Sequence, residues 1–251
     1  MITKFKSLSL LQKAGCAFLS LLAVAAASIL FYCWHILSPY MHLPSVTDDQ
    51  LDALDLSGYN KVLFSAHPDD ELIWGGAHLL DDKYLVVSMT GGNNPVRSKE
   101  FQSVITAAGG KCLMLSYPDK LGGKRSSWKY WRSAMEKDVA TILSYKDWQL
   151  VATHNANGEY GHQHHQMTHQ IVEKEYKETG CKAELYWFGK YYVNDRIPYN
   201  LLEMDKSLYI QKRKLAVTYE SQRNTIRKMY HMFPYEYWEN ATTGELFPPE
   251  S

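Results

Sequence analysis

Five short apolar runs alternate along this chain with segments of helical spacing, and that alternation restricts the fold more than any other feature. The runs are Lys61 to Ala66, Tyr84 to Thr90, Cys112 to Tyr117, Trp148 to His154 and Ala183 to Phe188. Between them lie Leu72 to Asp81, Arg97 to Ala108, Tyr130 to Tyr145 and His162 to Thr179; Gly109-Gly110 and Gly180 supply stop signals. Strand–helix–strand connections are right-handed and return the chain to a parallel neighbour. The expected fold is therefore α/β, a Rossmann-like, mostly parallel sheet with helices on both faces. Ligands bind such sheets beyond the carboxyl ends of the strands, where the turns after the first, second and fourth runs all emerge.

The amino-terminal segment obeys a different rule. Ala14 to Trp34 carries no formal charge, and a helix of about 21 residues at about 1.5 Å each spans about 31 Å, the thickness of a hydrocarbon core. It reads as a transmembrane signal anchor over 14–36, after a cytoplasmic amino terminus over 1–13. Ala25-Ala26-Ala27 offers a small-residue cleavage site for the competing signal-peptide reading, but Ile29 to Trp34 continues the apolar run past it. Lys4, Lys6 and Lys13 precede the helix, whereas Asp48, Asp49, Asp52 and Asp55 follow it. That asymmetry places the domain outside the cytoplasm, in the periplasm if the chain is bacterial. Residues 37–58 read as a linker that ends in a short helical turn, and 59–251 as one domain.

Two polar clusters interrupt the apolar pattern. Ala66-His67-Pro68-Asp69-Asp70-Glu71 occupies the first strand-to-helix turn. Pro68 keeps His67 extended at the strand end, and three successive carboxylates repel one another unless a cation intervenes. Simple helix capping by Asp69 or Asp70 is the plainer reading. After the fourth run comes His154-Asn155-Ala156-Asn157-Gly158-Glu159-Tyr160-Gly161-His162-Gln163-His164-His165. Two histidines, one carboxylate and an open position suit a catalytic zinc site, and no cysteine pair has ligand spacing. On a helix His162 and His165 share a face at i,i+3 and His165 and His169 at i,i+4; spacing alone does not choose between these pairs.

Taken in order, the two clusters resemble the signatures of the LmbE-like, or PIG-L-like, zinc-dependent de-N-acetylases. The resemblance runs from about Asn60 to about Gln222, where Tyr219-Glu220-Ser221-Gln222 is similar to a late family element. It implies His67, Asp70 and His165 as metal ligands, with zinc as the cofactor, or Fe2+ or Mn2+ in its place. It also implies Asp69 as general base, a protonated His162 that stabilises the oxyanion, and Arg97 as a substrate contact. His164 and His169 are read as surface, supporting or core histidines. Membrane-bound eukaryotic members are understood to face the cytosol, so the outward orientation read here departs from them and puts the glycosylphosphatidylinositol-pathway substrate in doubt.

The implied activity is hydrolysis of the acetamide of an N-acetylated sugar, with release of acetate. A metal-dependent hydrolase of another amide or ester is the first rival, and a membrane-anchored glycan-binding module the second. Formal net charge is +0, which argues against nucleic acid as a partner, and neither a Gly-x-Gly-x-x-Gly turn nor a Walker-type loop occurs. Glu100 is expected to be structural. Trp128, Tyr130 and Trp131 are expected in the core in preference to a sugar platform, and Cys112 and Cys181 are read as thiols in preference to a bridge. Lys206 to Met232 reads as a long helical region, and the tail from Phe233 to Trp238 either covers the cleft or packs on the sheet.

Overall fold

The computed structural model describes residues 9–249. Lys4 and Lys6, and with them most of the expected segment 1–13, lie outside the described residues. By its internal contacts the chain divides into two units, one comprising the first 43 residues with 120–124, the other 44–119 with 125 onward. The first unit is dominated by α1, Leu10–Leu37. Ser9 opens this helix in a capping box, its hydroxyl accepting from Gln12 N–H while the Gln12 side chain takes Ser9 N–H. The helix is long and apolar enough to cross a membrane, a property that signal sequences share.

The second unit opens with α2, Asp48–Asp52, again fixed by a capping box, here between Thr47 and Gln50. The alternation then runs β1 (Lys61–Ser65), α3 (Asp70–Asp81), β2 (Tyr84–Thr90), α4 (Pro95–Ala107), β3 (Lys111–Tyr117), α5 (Arg132–Ser144), β4 (Leu150–Thr153), α6 (Gln163–Glu178) and β5 (Glu184–Phe188). Helices α7 (Lys206–Ala216) and α8 (Arg223–Met229) follow, then strands β6 (Trp238–Asn240) and β7 (Leu246–Phe247). The sheet order is β3-β2-β1-β4-β5-β6-β7. The first five strands are parallel and the last two antiparallel. From β1 the chain works outward through β2 and β3, then returns to the other side of β1 with β4. That reversal makes the β1/β4 edge the topological switch point, the place where the carboxyl-end loops part and leave a crevice.

The long helical region expected over 206–232 is helical but interrupted. It breaks between Ala216 and Arg223 because two side chains there are spent on the domain interior. Tyr219 Oη donates to Glu71 Oε1, and Ser221 gives Glu100 both its N–H, at 2.8 Å, and its hydroxyl. Glu100 thus has the structural role expected of it. The tail packs on the sheet: β6 pairs with β5, and Trp238, fully buried, stacks on His78 at 3.8 Å between ring centroids. Leu63, Leu72, Val86, Phe101, Phe188 and Trp238 lie in one apolar core beneath the crevice. Trp128 is buried, as expected, whereas Tyr130 is exposed; Cys112 and Cys181 are free thiols.

Candidate metal centre

The loop after β1 holds its acids in an arrangement that capping does not explain. Asp69 occupies the N-cap position of α3, yet its carboxylate caps nothing, and its backbone sits at φ 117, a left-handed conformation that costs a non-glycine residue about 1–3 kcal/mol. Its N–H is held by Glu71 Oε2 at 3.0 Å, and Glu71 is in turn held by Tyr219. The neighbouring loop closes tightly on the same turn: a Cβ on Gly91, at φ 93, would lie 2.7 Å from Pro68 Cγ. Strain at Asp69 therefore aims a carboxylate into the crevice instead of at the helix.

Beside it, His67 and Asp70 face each other, His67 Nδ1 lying 2.9 Å from Asp70 Oδ2, which also accepts His67 N–H at 2.9 Å. Across the switch point His165, in the first turn of α6, places Nε2 at 3.2 Å from Asp70 Oδ1 without a hydrogen bond to it. His162, the extended residue ahead of α6, brings its ring to 4.3 Å from that of His165, and its Nδ1 is also buried without a partner. The orphaned His165 nitrogen against a buried carboxylate is poor as a packed core and suitable as a cation cradle, and the orphaned His162 nitrogen beside it is left for another partner.

Two supporting histidines flank the cluster, and hydrogen-bond chemistry fixes the roles of their nitrogens. His154 Nε2 accepts Ala66 N–H at 2.9 Å, so its proton is on Nδ1, which donates to Glu159 Oε2 at 3.0 Å. Both nitrogens are thus committed, and His154 is not a metal ligand although it lies near Asp70 and His165. The same Glu159 oxygen accepts from His165 Nδ1, which turns Nε2 toward Asp70. Glu159 itself sits at φ 56 in a single turn, Gly158–Gly161. Asn155 anchors it twice, giving its N–H to the Glu159 carboxylate and taking Glu159 N–H on its side-chain oxygen. His164, on the far side of His67, is fully buried; its Nε2 lies 2.8 Å from the Ser126 carbonyl and its Nδ1 3.0 Å from His67 Nε2. His169 is buried as well, its Nδ1 donating to the His154 carbonyl at 2.9 Å.

Residues from two further loops complete the edge. Asp119, just after β3, lies 3.6 Å from both His67 Nε2 and His164 Nδ1. Arg97 donates to the Pro68 carbonyl at 2.7 Å and stands 3.7 Å from Asp69 Oδ1. The residues read from the sequence, His67, Asp69, Asp70, Arg97, His162 and His165, therefore all lie around one crevice. His154, Glu159 and Asp119 were not read from it, and His164, read as surface, supporting or core, is buried beside His67. Glu159 carried a signal in its spacing to His154 and His165, but nothing local marks Asp119.

The electrostatics are those of a site balanced by protons. Burial and the Asp70 carboxylate push Asp69 up to about 7. Burial alone would lower His165, but Asp70 and Glu159 outweigh it and raise it to about 10; His67 is raised for the same kind of reason, with Asp70 the main partner. Burial would raise Asp70, but His165 and His67 hold it well below the carboxylate range. His162 goes the other way: burial, then His165 and His67, push it down to about 2. Burial likewise lowers His164, to about 4.

Residues 62–176 match the PIG-L family model, described as GlcNAc-PI de-N-acetylase. Uncharacterized protein L374 of Acanthamoeba polyphaga mimivirus is 26% identical over 188 residues, covering 68% of this chain and 75% of that protein. Among solved structures, the A40926 pseudoaglycone deacetylase Dbv21 superposes with a TM-score of 0.51 at 16% identity, over 68% of this chain and 85% of that one. The conserved protein TT1542 from Thermus thermophilus gives 0.52 at 16%, over 77% and 99%. GalB, the 4-carboxy-2-hydroxymuconate hydratase from Pseudomonas putida, gives 0.51 at 12%, over 68% and 82%. At these identities the likeness to solved structures is one of fold, and a deacetylase and a hydratase share it, so the reaction has to be argued from the site.

Proposed function

From the premise that residues 62–176 form a PIG-L family domain, we propose that this protein is a divalent-metal-dependent hydrolase that removes the acetyl group from an N-acetylated sugar. The observation that carries the reading is the juxtaposition of the buried donor set His67, Asp70 and His165 with Asp69, a carboxylate that caps nothing in its helix and has Arg97 3.7 Å away. His67 Nδ1, Asp70 and His165 Nε2 would hold the ion, zinc being the best match to two histidines, one carboxylate and an open position. When bound, such an ion polarises an amide carbonyl and acidifies water.

The chain's own groups supply the proton transfers. Asp69 takes the proton of the attacking water as the amide carbon is hydrated and, once neutral, returns it to the departing nitrogen. Its buried setting, which raises it to about 7, suits both halves of that task. His162 acts in its neutral form, its unpartnered Nδ1–H donating to the oxygen on which negative charge develops. Arg97 fixes the turn through Pro68 and lines the approach to Asp69. The amino-terminal helix, Leu10–Leu37, would tether the domain on the far side of the membrane from the cytoplasm, with 37–58 as linker and 59–251 as the catalytic domain.

Acetate release from the zinc-loaded protein on a panel of N-acetylated glycans and glycolipids tests this reading. Acetate with matching free amine supports it, whereas release only from simple esters supports the broader metal hydrolase.

A further inference from the structure

Metal-bound histidines usually donate their second N–H to a carboxylate, a backbone carbonyl or water, and that partner fixes both the tautomer and the ring's aim. One histidine here follows the rule: His165 Nδ1 meets the Glu159 carboxylate. The other does not. His67 Nε2 faces a second imidazole, His164 Nδ1, at 3.0 Å.

The proton positions along this contact follow from its far end. The Ser126 carbonyl can only accept, so His164 Nε2, 2.8 Å away, carries the hydrogen and a neutral His164 has its lone pair on Nδ1. That lone pair accepts from His67 Nε2–H; His67 Nδ1, which donates to Asp70 Oδ2 at 2.9 Å while the ring is protonated, is then the nitrogen left free for a cation once that proton is lost. His164 is held rigidly for the task. Trp128 stacks on it at 4.1 Å and 5° between ring planes, while Trp128 Nε1 donates to the Pro118 carbonyl at 2.8 Å. Ser126 is tied down too, its N–H donating to the Asp119 carbonyl at 2.9 Å. The nearer carboxylate candidate, Asp119, stands 3.6 Å from His67 Nε2, outside hydrogen-bond range.

We propose that His164 is the positioning residue for His67, setting its metal-donating tautomer through an imidazole relay that runs from His67 through His164 to the Ser126 carbonyl. The inference rests on the proposed metal site. It gives the two ligand histidines unequal backing, anionic behind His165 and neutral behind His67, so His67 is the weaker donor and the more dependent on its partner's acceptor atom.

The test is zinc affinity, measured by chelator competition without any turnover, in the full chain and in His164→Ala, His164→Asn, His164→Gln and Asp119→Asn. An asparagine oxygen stands close to where Nδ1 was and keeps an acceptor for His67, whereas glutamine reaches toward Ser126 and leaves His67 unpartnered. Both lose the Trp128 stack equally. Affinity should fall about 10- to 100-fold in His164→Ala and His164→Gln, the usual cost of losing such a partner, and be largely retained in His164→Asn. Equal losses in Asn and Gln would make His164 a packing residue, and a loss confined to Asp119→Asn would transfer the role to Asp119; either overturns the proposal. A wild type that binds no zinc overturns the metal site itself, and the relay with it. In zinc-loaded wild type, nitrogen-15 spectra should show His67 protonated at Nε2; protonation at Nδ1 would overturn the relay without recourse to any variant.

Discussion

His154 donates through Nδ1 to Glu159 Oε2 at 3.0 Å, and the same oxygen accepts from His165. Burial would raise Glu159, but His154 and His165 hold it down at about 2, so it is charged at any working pH. One carboxylate, kept anionic by two imidazoles, thereby orients His165 and strengthens its Nε2 as a donor. Glu159→Gln keeps the shape and removes the charge. It is expected to weaken zinc binding about 10- to 100-fold while the fold melts cooperatively as before; an unchanged zinc dissociation constant would contradict this.

Metal binding should displace protons. His165, raised to about 10, and His67, also raised, have to give up a proton before their nitrogens can donate to a cation. Their folded pKa values lie above the ordinary histidine value, so zinc affinity rises as pH climbs through the neutral range. Calorimetry in buffers of different ionisation enthalpy should register net proton release, and a heat independent of buffer would count against it.

The switch-point location was legible in the sequence because it depends on pattern. The apolar runs 61–66 and 148–154 reappear as β1 and β4, adjacent and parallel, and the two polar loops that follow them meet as expected. What escaped was long-range and residue-specific. Asp119 reaches the site only because β3 ends at the same edge, and which of its three expected places His164 takes depends on Trp128 and Ser126, which precede it by a whole helix and strand. The break at 217–222 escaped for a similar reason, since helical spacing continues across it while Tyr219 and Ser221 are claimed by Glu71 and Glu100.

A buried ion pair away from the crevice sets an acid limit on stability. Lys212 and Glu236 are both inaccessible, and Glu236 also accepts from Ala77 N–H, His78 N–H and His78 Nδ1. Burial opposes its ionisation, but Lys212 and His78 lower it from 4.5 to about 2. A depressed carboxylate stabilises the fold above its unfolded value and stops doing so as pH falls from about 4.5 through about 2. The Tm difference between wild type and Glu236→Gln should therefore shrink over that interval. Lys212→Met, which strands the charge, should cost about 3–5 kcal/mol at neutral pH, and the double variant Lys212→Met with Glu236→Gln should recover part of the loss. Denaturant melts that show Lys212→Met as stable as wild type would refute the argument.

The pH profile of turnover should have an acid limb that belongs to Asp69. A general base works deprotonated, so kcat/KM rises with pH through its titration. The neutral His162 that burial and the neighbouring His165 and His67 favour is expected to serve, so no protonated His162 is required. His162→Ala should bind zinc normally and lower turnover across the whole profile. Selective loss of an alkaline limb would instead restore a protonated role for it.

On the proposed reading Asp70 holds the metal while its neighbour Asp69 moves the proton, and acetate release by zinc-loaded Asp69→Asn separates the two roles. At zinc occupancy equal to wild type, the expected rate is lower by roughly two to four orders of magnitude. Acetate released at near the wild-type rate with zinc bound would contradict the account.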